Sequence, residues 1–248
     1  MQKSVVITGG NRGIGRSLTK CFVEAGYNVV VGARSSRDIE QVAKDQIKFV
    51  PIDVRNEADH KKLVEVAVDW SGQLDVYVNN AGFSEWRPIE HIDEDFFTTL
   101  IDTNLKGAFW GCKAAAAVMQ KHGAIINISS IAGKRGSSNN SMYCASKFGM
   151  NGLTQSLAKE LGPRGIRVNA LCPVLIKTEG LLEALKTKWS PSKEDPDVFI
   201  DNFTKANSAL GTLPSGEDVG DMCVYLASPQ AAAVTGQCIN IDCGVFPQ

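Results

Sequence analysis

Short apolar runs rich in β-branched residues alternate along this chain with longer stretches whose apolar positions recur every three or four residues. The short runs fall at 4–8, 28–33, 47–52, 74–78, 124–128, 166–171 and 237–241. They are too short for stable helices and nearly continuous in hydrophobicity, the pattern of strands buried on both faces. The longer stretches include 14–25, with Leu18, Phe22 and Val23 on one face, and 58–70, with Leu63, Val66 and Ala67. Others follow at 96–120, 143–161 and 216–227. Seven strands with helices between them predict one parallel sheet covered on both sides. Right-handed crossovers make that a Rossmann-type, doubly wound α/β fold. No Pro/Gly/Ser linker, charge block, short repeat or low-complexity tract divides the chain, so residues 1–248 are expected to form a single domain.

The rhythm breaks once. Residues 178–215 have helical character but no strand, and they carry Trp189, Pro191, Pro196, Phe199 and Phe203. A long insertion after a strand's C-terminal end is where an α/β protein builds a cover over its substrate. A peripheral helix pair packed on the body is the plainer alternative.

Composition narrows the class. With 44% hydrophobic and 21% charged residues, the chain has the make-up of an ordinary globular protein and needs no metal or disulfide to hold a core. Lys plus Arg number 26 against 27 Asp plus Glu, and the cations are scattered, so no nucleic-acid partner is expected. The seven cysteines are odd in number and form no CxxC pair, which reads as reduced thiols in a cytoplasmic protein. The N-terminus enters its first strand with no leader-like segment, and no apolar run approaches the ~18 residues of a membrane span. His60, His91 and His122 are far apart and read as surface residues, and no spacing of His, Cys and Asp suggests a metal site.

Candidate chemistry begins at the first strand's end, Thr8-Gly9-Gly10-Asn11-Arg12-Gly13-Ile14-Gly15. Gly9 permits a tight turn, Gly13 lets the backbone approach a pyrophosphate, and Gly15 lets helix and strand pack. The helix that follows offers free N–H groups and the positive end of its dipole to phosphates. Gly9, Asn11, Arg12, Gly13 and Ile14 are therefore candidates for cofactor binding. The second strand's end reads Gly32-Ala33-Arg34-Ser35-Ser36, with no acid before Asp38. An acid there would hold the ribose hydroxyl of NAD, whereas Arg34 and Arg12 suit the 2′-phosphate of NADP. NADP(H) is favoured, with NAD(H) the alternative.

Tyr143 and Lys147 lie four residues apart at the start of a predicted helix and share a face. A phenol titrates near pH 10, and a lysine ammonium beside a nicotinamide cation brings it toward neutrality. Ser130 ends the run Ile125-Ile126-Asn127-Ile128-Ser129-Ser130 at the ligand-binding edge of the sheet. Its hydroxyl can hydrogen-bond a substrate oxygen or simply cap the next turn.

Taken together, these residues resemble a classical short-chain dehydrogenase/reductase over nearly the whole length. The resemblance rests on TGGNRGIG at 8–15, Asp53 after the third strand, Asn79-Asn80-Ala81-Gly82 after the fourth, Asn104, Ser130, Tyr143-Cys144-Ala145-Ser146-Lys147, and Pro173 to Thr178. It implies Tyr143 as general acid/base, with Lys147 lowering its pKa and binding the nicotinamide ribose. Ser130 would orient the substrate oxygen, and Asn104 would hold a water in a relay toward Lys147. Asp53 and Val54 would contact the adenine, Asn80, Ala81 and Gly82 would line the cofactor, and Ile176 and Thr178 would meet the carboxamide. The pattern departs at Val174, where the family usually has Gly after the proline, and at Cys243, the first place of a usual double glycine.

The expected activity is NAD(P)-dependent interconversion of a small-molecule carbonyl compound and an alcohol, possible versions being a 3-oxoacyl-carrier-protein reductase or a sugar or polyol dehydrogenase. A dinucleotide-binding regulator without catalysis is disfavoured, because the catalytic set is complete. An epimerase or dehydratase needs a longer C-terminal region. Glu85, Trp86 and Arg87, and Arg135, Asn139 and Asn140 in the polar 134–140 loop, are further candidates for substrate contact. Cys144 is either a thiol beside the site or a packing residue. Small residues at Ala114 to Ala117, Ala145, Gly149 and Gly152 permit close helix approach, and the resemblance implies a homo-oligomer, commonly a tetramer.

Overall fold

The computed structural model describes residues 2–36 and 44–247. Its strands are β1 (Ser4–Thr8), β2 (Asn28–Ala33), β3 (Ile47–Pro51), β4 (Val76–Asn79), β5 (Ala124–Ile128), β6 (Arg167–Pro173) and β7 (Cys238–Ile241). They form one parallel sheet in the order β3-β2-β1-β4-β5-β6-β7. The order reverses between β1 and β4, the switch point at which such a sheet opens a crevice beyond its strand C-termini.

Alternate strand residues feed two separate layers. Val6, Val30, Tyr77 and Ile125 pack against α2 (Glu57–Ser71), α4 (Gly107–Val118) and α5 (Ser141–Leu161). Val5, Ile7, Val29, Val31 and Ile126 pack against α1 (Gly13–Glu24) and α8 (Gly216–Ala227). Both faces of each central strand are therefore apolar, which is why the strands read as continuous runs.

The stretch expected as one helix over 96–120 is divided. α3 (Glu94–Ile101) leads into a π-helical turn at Asp102–Lys106, and α4 follows. The π turn carries an extra residue and turns Asn104 fully inward, where its amide is committed to the Phe83 backbone. The segment after β6 holds α6 (Glu179–Leu185) and α7 (Pro196–Asn207) and no strand. Its apolar residues Leu185 and Ile200 close over Trp86, which follows β4.

One expectation needs correction. His60 is not a surface residue but has no exposed area, because it stands on the same helical face as Leu63, Val64 and Ala67. His91 and His122 are exposed. Cys243 has φ 51°, a left-handed conformation that favours glycine, so the family's usual residue there has a physical reason.

Candidate active site

The glycine loop joins β1 to α1 and lies at the crevice. Gly9 and Gly13 have φ of 65° and 51°. A Cβ on Gly15 would overlap the Gly9 carbonyl, so the first turn of α1 closes tightly over the end of β1. A Cβ on Gly13 would fill space 3.5 Å from Thr178. The bare backbone, the open space above it and the helix N-terminus fit a dinucleotide's pyrophosphate. Thr178 itself caps α6 by accepting a hydrogen bond from the Leu181 amide at 3.2 Å, and Ile176 is buried beside it.

The loops around that cradle are tied together by side chains. Asn11 donates to the Ser35 carbonyl at 3.0 Å, linking the glycine loop to the end of β2. Asn80 donates to the Thr8 and Gly9 carbonyls at 2.9 and 3.2 Å. The Thr8 hydroxyl accepts from the Asn80 and Ala81 amides at 3.0 and 3.1 Å. Arg12 and Arg34 are both exposed on this rim. The Asp53 carboxyl is held below its usual range, first by hydrogen bonds from Arg55 and more weakly by the charge of Arg34. Asp38, the first acid after the glycine loop, lies outside the described residues.

The Ser, Tyr and Lys come together across β5, α5 and β6. Lys147 is buried and donates from Nζ to the Ile128 carbonyl at 2.8 Å, with Nζ 5.6 Å from the Tyr143 ring centre. Burial pushes the Lys147 ammonium down to about 8. Burial likewise pushes the Tyr143 phenol up to about 12, against a hydrogen bond from Ser130 that lowers it. Ser130 is fixed in the turn after β5, where its hydroxyl oxygen accepts from the Ala132 amide at 3.1 Å. Gly82 lies between Asn104 and Lys147: a Cβ there would sit 3.1 Å from Asn104 Oδ1 and 3.8 Å from Lys147 Nζ. Asn104, Gly82 and Lys147 thus share one small volume.

Other candidates are committed elsewhere. Arg87 pairs with Glu85 at 2.7 Å and lies 4.0 Å over the Phe96 ring. Trp86 is buried under α6 and α7. Arg135 stands 5.2 Å over the Phe246 ring. Asn140 bonds Ser137, and Asn139 donates to the Trp189 carbonyl at 3.4 Å, so the 134–140 loop is laced to the segment between α6 and α7. The buried Cys144 thiol packs on Arg135 and Ser137 rather than facing a substrate. Among the described residues no cluster of His, Cys, Asp or Glu forms a metal site, and no helix is long and apolar enough to cross a membrane.

Comparison with known proteins decides the family. A family profile described as "Enoyl-(Acyl carrier protein) reductase" matches residues 9–246. The chain is 35% identical to a 3-oxoacyl-[acyl-carrier-protein] reductase of Staphylococcus aureus, with 99% of both chains covered. It belongs to the short-chain dehydrogenase/reductase family. Among solved structures of the family, it superposes on a Brucella melitensis member described as a glucose/ribitol dehydrogenase, with TM-score 0.89, 27% identity and 99% and 97% coverage. An actinorhodin polyketide ketoreductase solved with NADPH gives TM-score 0.87 at 30% identity, covering 98% and 97% of the two chains. The chain is therefore an oxidoreductase of carbonyl and alcohol groups that uses NAD(P)(H) and a small-molecule substrate.

Proposed function

We propose that this enzyme prefers NADP(H) and runs chiefly as a carbonyl reductase, with Tyr143 as the general acid. One observation carries the cofactor choice: Arg34 stands exposed at the tip of β2, beside the loop that Asn11 ties to Ser35. That tip is where a doubly wound fold meets the adenosine ribose, and a guanidinium matches a 2′-phosphate where a carboxylate would repel it. Arg12 approaches from the glycine loop. The ketoreductase neighbour was itself solved with NADPH.

A nicotinamide held beside Tyr143 and Lys147 would supply the hydride that reaches the carbonyl carbon. Tyr143, protonated at neutral pH, gives its proton to the carbonyl oxygen, and hydride plus proton complete the alcohol. Ser130 holds that oxygen in line with the phenol. Lys147 spends one N–H on the Ile128 carbonyl and keeps two, one for the nicotinamide ribose and one for returning a proton toward Tyr143. Asn104 orders the far end of that proton path. Asp53 and Val54 meet the adenine, Asn80, Ala81 and Gly82 line the cofactor, and Ile176 and Thr178 border its carboxamide. Residues 178–215 cover the substrate as part of a single domain. The carrier-protein reductases among its relatives favour a 3-oxoacyl thioester as the carbonyl compound. The protein works as a homo-oligomer in the cytoplasm, in keeping with its seven unpaired thiols.

The test is a titration of the protein with NADPH and NADH, read by nicotinamide fluorescence. NADPH binds more tightly, and Arg34→Ala weakens NADPH about tenfold or more while changing NADH less than about twofold. Equal affinities in the wild type defeat the NADP reading. With acetoacetyl thioester as substrate, Tyr143→Phe loses about a hundredfold or more in kcat.

A further inference from the structure

His60 stands in the first turns of α2 with no exposed area, and both its ring nitrogens are engaged. Nε2 lies 2.8 Å from the Val54 carbonyl, and Nδ1 lies 2.7 Å from the hydroxyl of Tyr77, itself fully buried in β4. A carbonyl only accepts, so Nε2 carries the hydrogen and Nδ1 accepts from the phenol. One imidazole thereby connects the core of the sheet to the loop after β3. Burial lowers the His60 pKa, opposed by the Val54 carbonyl and by Asp59, and this keeps the ring in the neutral form that geometry requires.

The loop it grips lies at the adenosine end. In the strand order β3-β2-β1, the pyrophosphate belongs to the loop after β1 and the ribose to the tip of β2, which leaves the base for the tip of β3. The amides on either side of Val54 are occupied: Asp53 donates to Asp59 at 2.8 Å and Arg55 donates to Asp53 at 3.0 Å. The Val54 amide has no acceptor among the described residues. On the other side a Cβ on Gly107 would come within 3.0 Å of the Val54 carbonyl, so the peptide is clamped between α2 and the start of α4.

We propose that His60, oriented by Tyr77, is a positioning residue for cofactor binding: by holding the Val54 carbonyl it fixes the place of residue Val54, whose free amide, in the preceding peptide, is then presented to the adenine. The proposal rests on the dinucleotide reading above. A pair of apolar side chains would fill the same space and hold the core, but it would leave the Val54 carbonyl without its donor and Val54 less firmly placed.

The experiment compares wild type, His60→Val and the double variant His60→Val/Tyr77→Leu. Each is titrated with NADPH by fluorescence and with 2′,5′-ADP, the adenosine half alone, by calorimetry, and each is melted. His60→Val is expected to weaken both ligands five- to twentyfold and to melt earlier, since it strands the Tyr77 hydroxyl and the Val54 carbonyl. The double variant regains melting temperature and keeps the weak binding. A double variant that binds both ligands within twofold of wild type overturns the proposal, because packing alone would then suffice. If His60→Val does not fold, the double variant decides. A wild-type protein that binds neither ligand refutes the dinucleotide reading instead.

Discussion

Lys147 is a cation that water barely reaches, and its cost can be measured. Burial lowers its pKa from 10.5 to about 8. Between those values the unfolded chain binds more protons at this group than the folded one, so stability rises with pH across that window. The shift corresponds to about 3 kcal/mol at most. Urea denaturation of wild type and Lys147→Met from about pH 7.5 to about pH 9.5 isolates the effect, below the range where Tyr143 contributes. The wild-type stability should climb relative to the variant by about 1–2 kcal/mol. A flat difference would mean that the ammonium stays solvated in the folded protein. That Ser130, Tyr143 and Lys147 come together was legible in the sequence, because spacing and strand-tip position placed them at one edge of the sheet. His60 was not, although a signal was present: 60, 63, 64 and 67 share one helical face, and Leu63, Val64 and Ala67 are apolar. A lone polar residue in such a stripe reads as its solvated edge until its partner is known, and Tyr77 lies 17 residues away on another element.

The strands and most helices were legible for the same reason: burial on two faces writes continuous runs, and burial on one writes a stripe. The π turn at Asp102–Lys106 left no such mark, because an inserted residue shifts the stripe by less than the spacing of two apolar positions. The strandless helical segment after β6 was legible as an insertion, but not its anchor. Trp86 and Arg87 followed a cofactor motif and read as substrate contacts, yet Trp86 is the floor of a small apolar cluster with Leu185 and Ile200. That cluster is separate from the two main core layers, so α6 and α7 are expected to open locally before the sheet unfolds. Trp86→Ala should remove about 3 kcal/mol from the cover's local stability. Hydrogen exchange in α6 and α7 should then quicken by about a hundredfold while β1, β4 and β5 stay protected. Uniform acceleration across the sheet would show that cover and body unfold as one unit.

At the scale of the whole molecule, the unexplained surface is the outer face of α4 and α5. Phe109 on α4 and Phe148 on α5 are 43% and 48% exposed, and a Cβ on Gly152 would meet nothing within 4 Å. If these exposed rings and small residues form one face that pairs with a second copy, about 800 Å² per partner is the size of a stable interface. Phe148 adjoins Lys147 in sequence but is half-exposed where Lys147 is buried, so α5 would carry the proposed acid/base pair on its buried side and the proposed subunit contact on its exposed one. Assembly would then stiffen the helix that carries the proposed Tyr143–Lys147 pair, and an oligomer would melt later as protein concentration rises. Phe148→Glu places a charge in that face without touching the site. Light scattering should then show a smaller species than wild type, and the melting temperature should lose its dependence on concentration. If Phe148→Glu keeps the wild-type mass, the helices meet solvent and the oligomer, where one exists, is built on another surface.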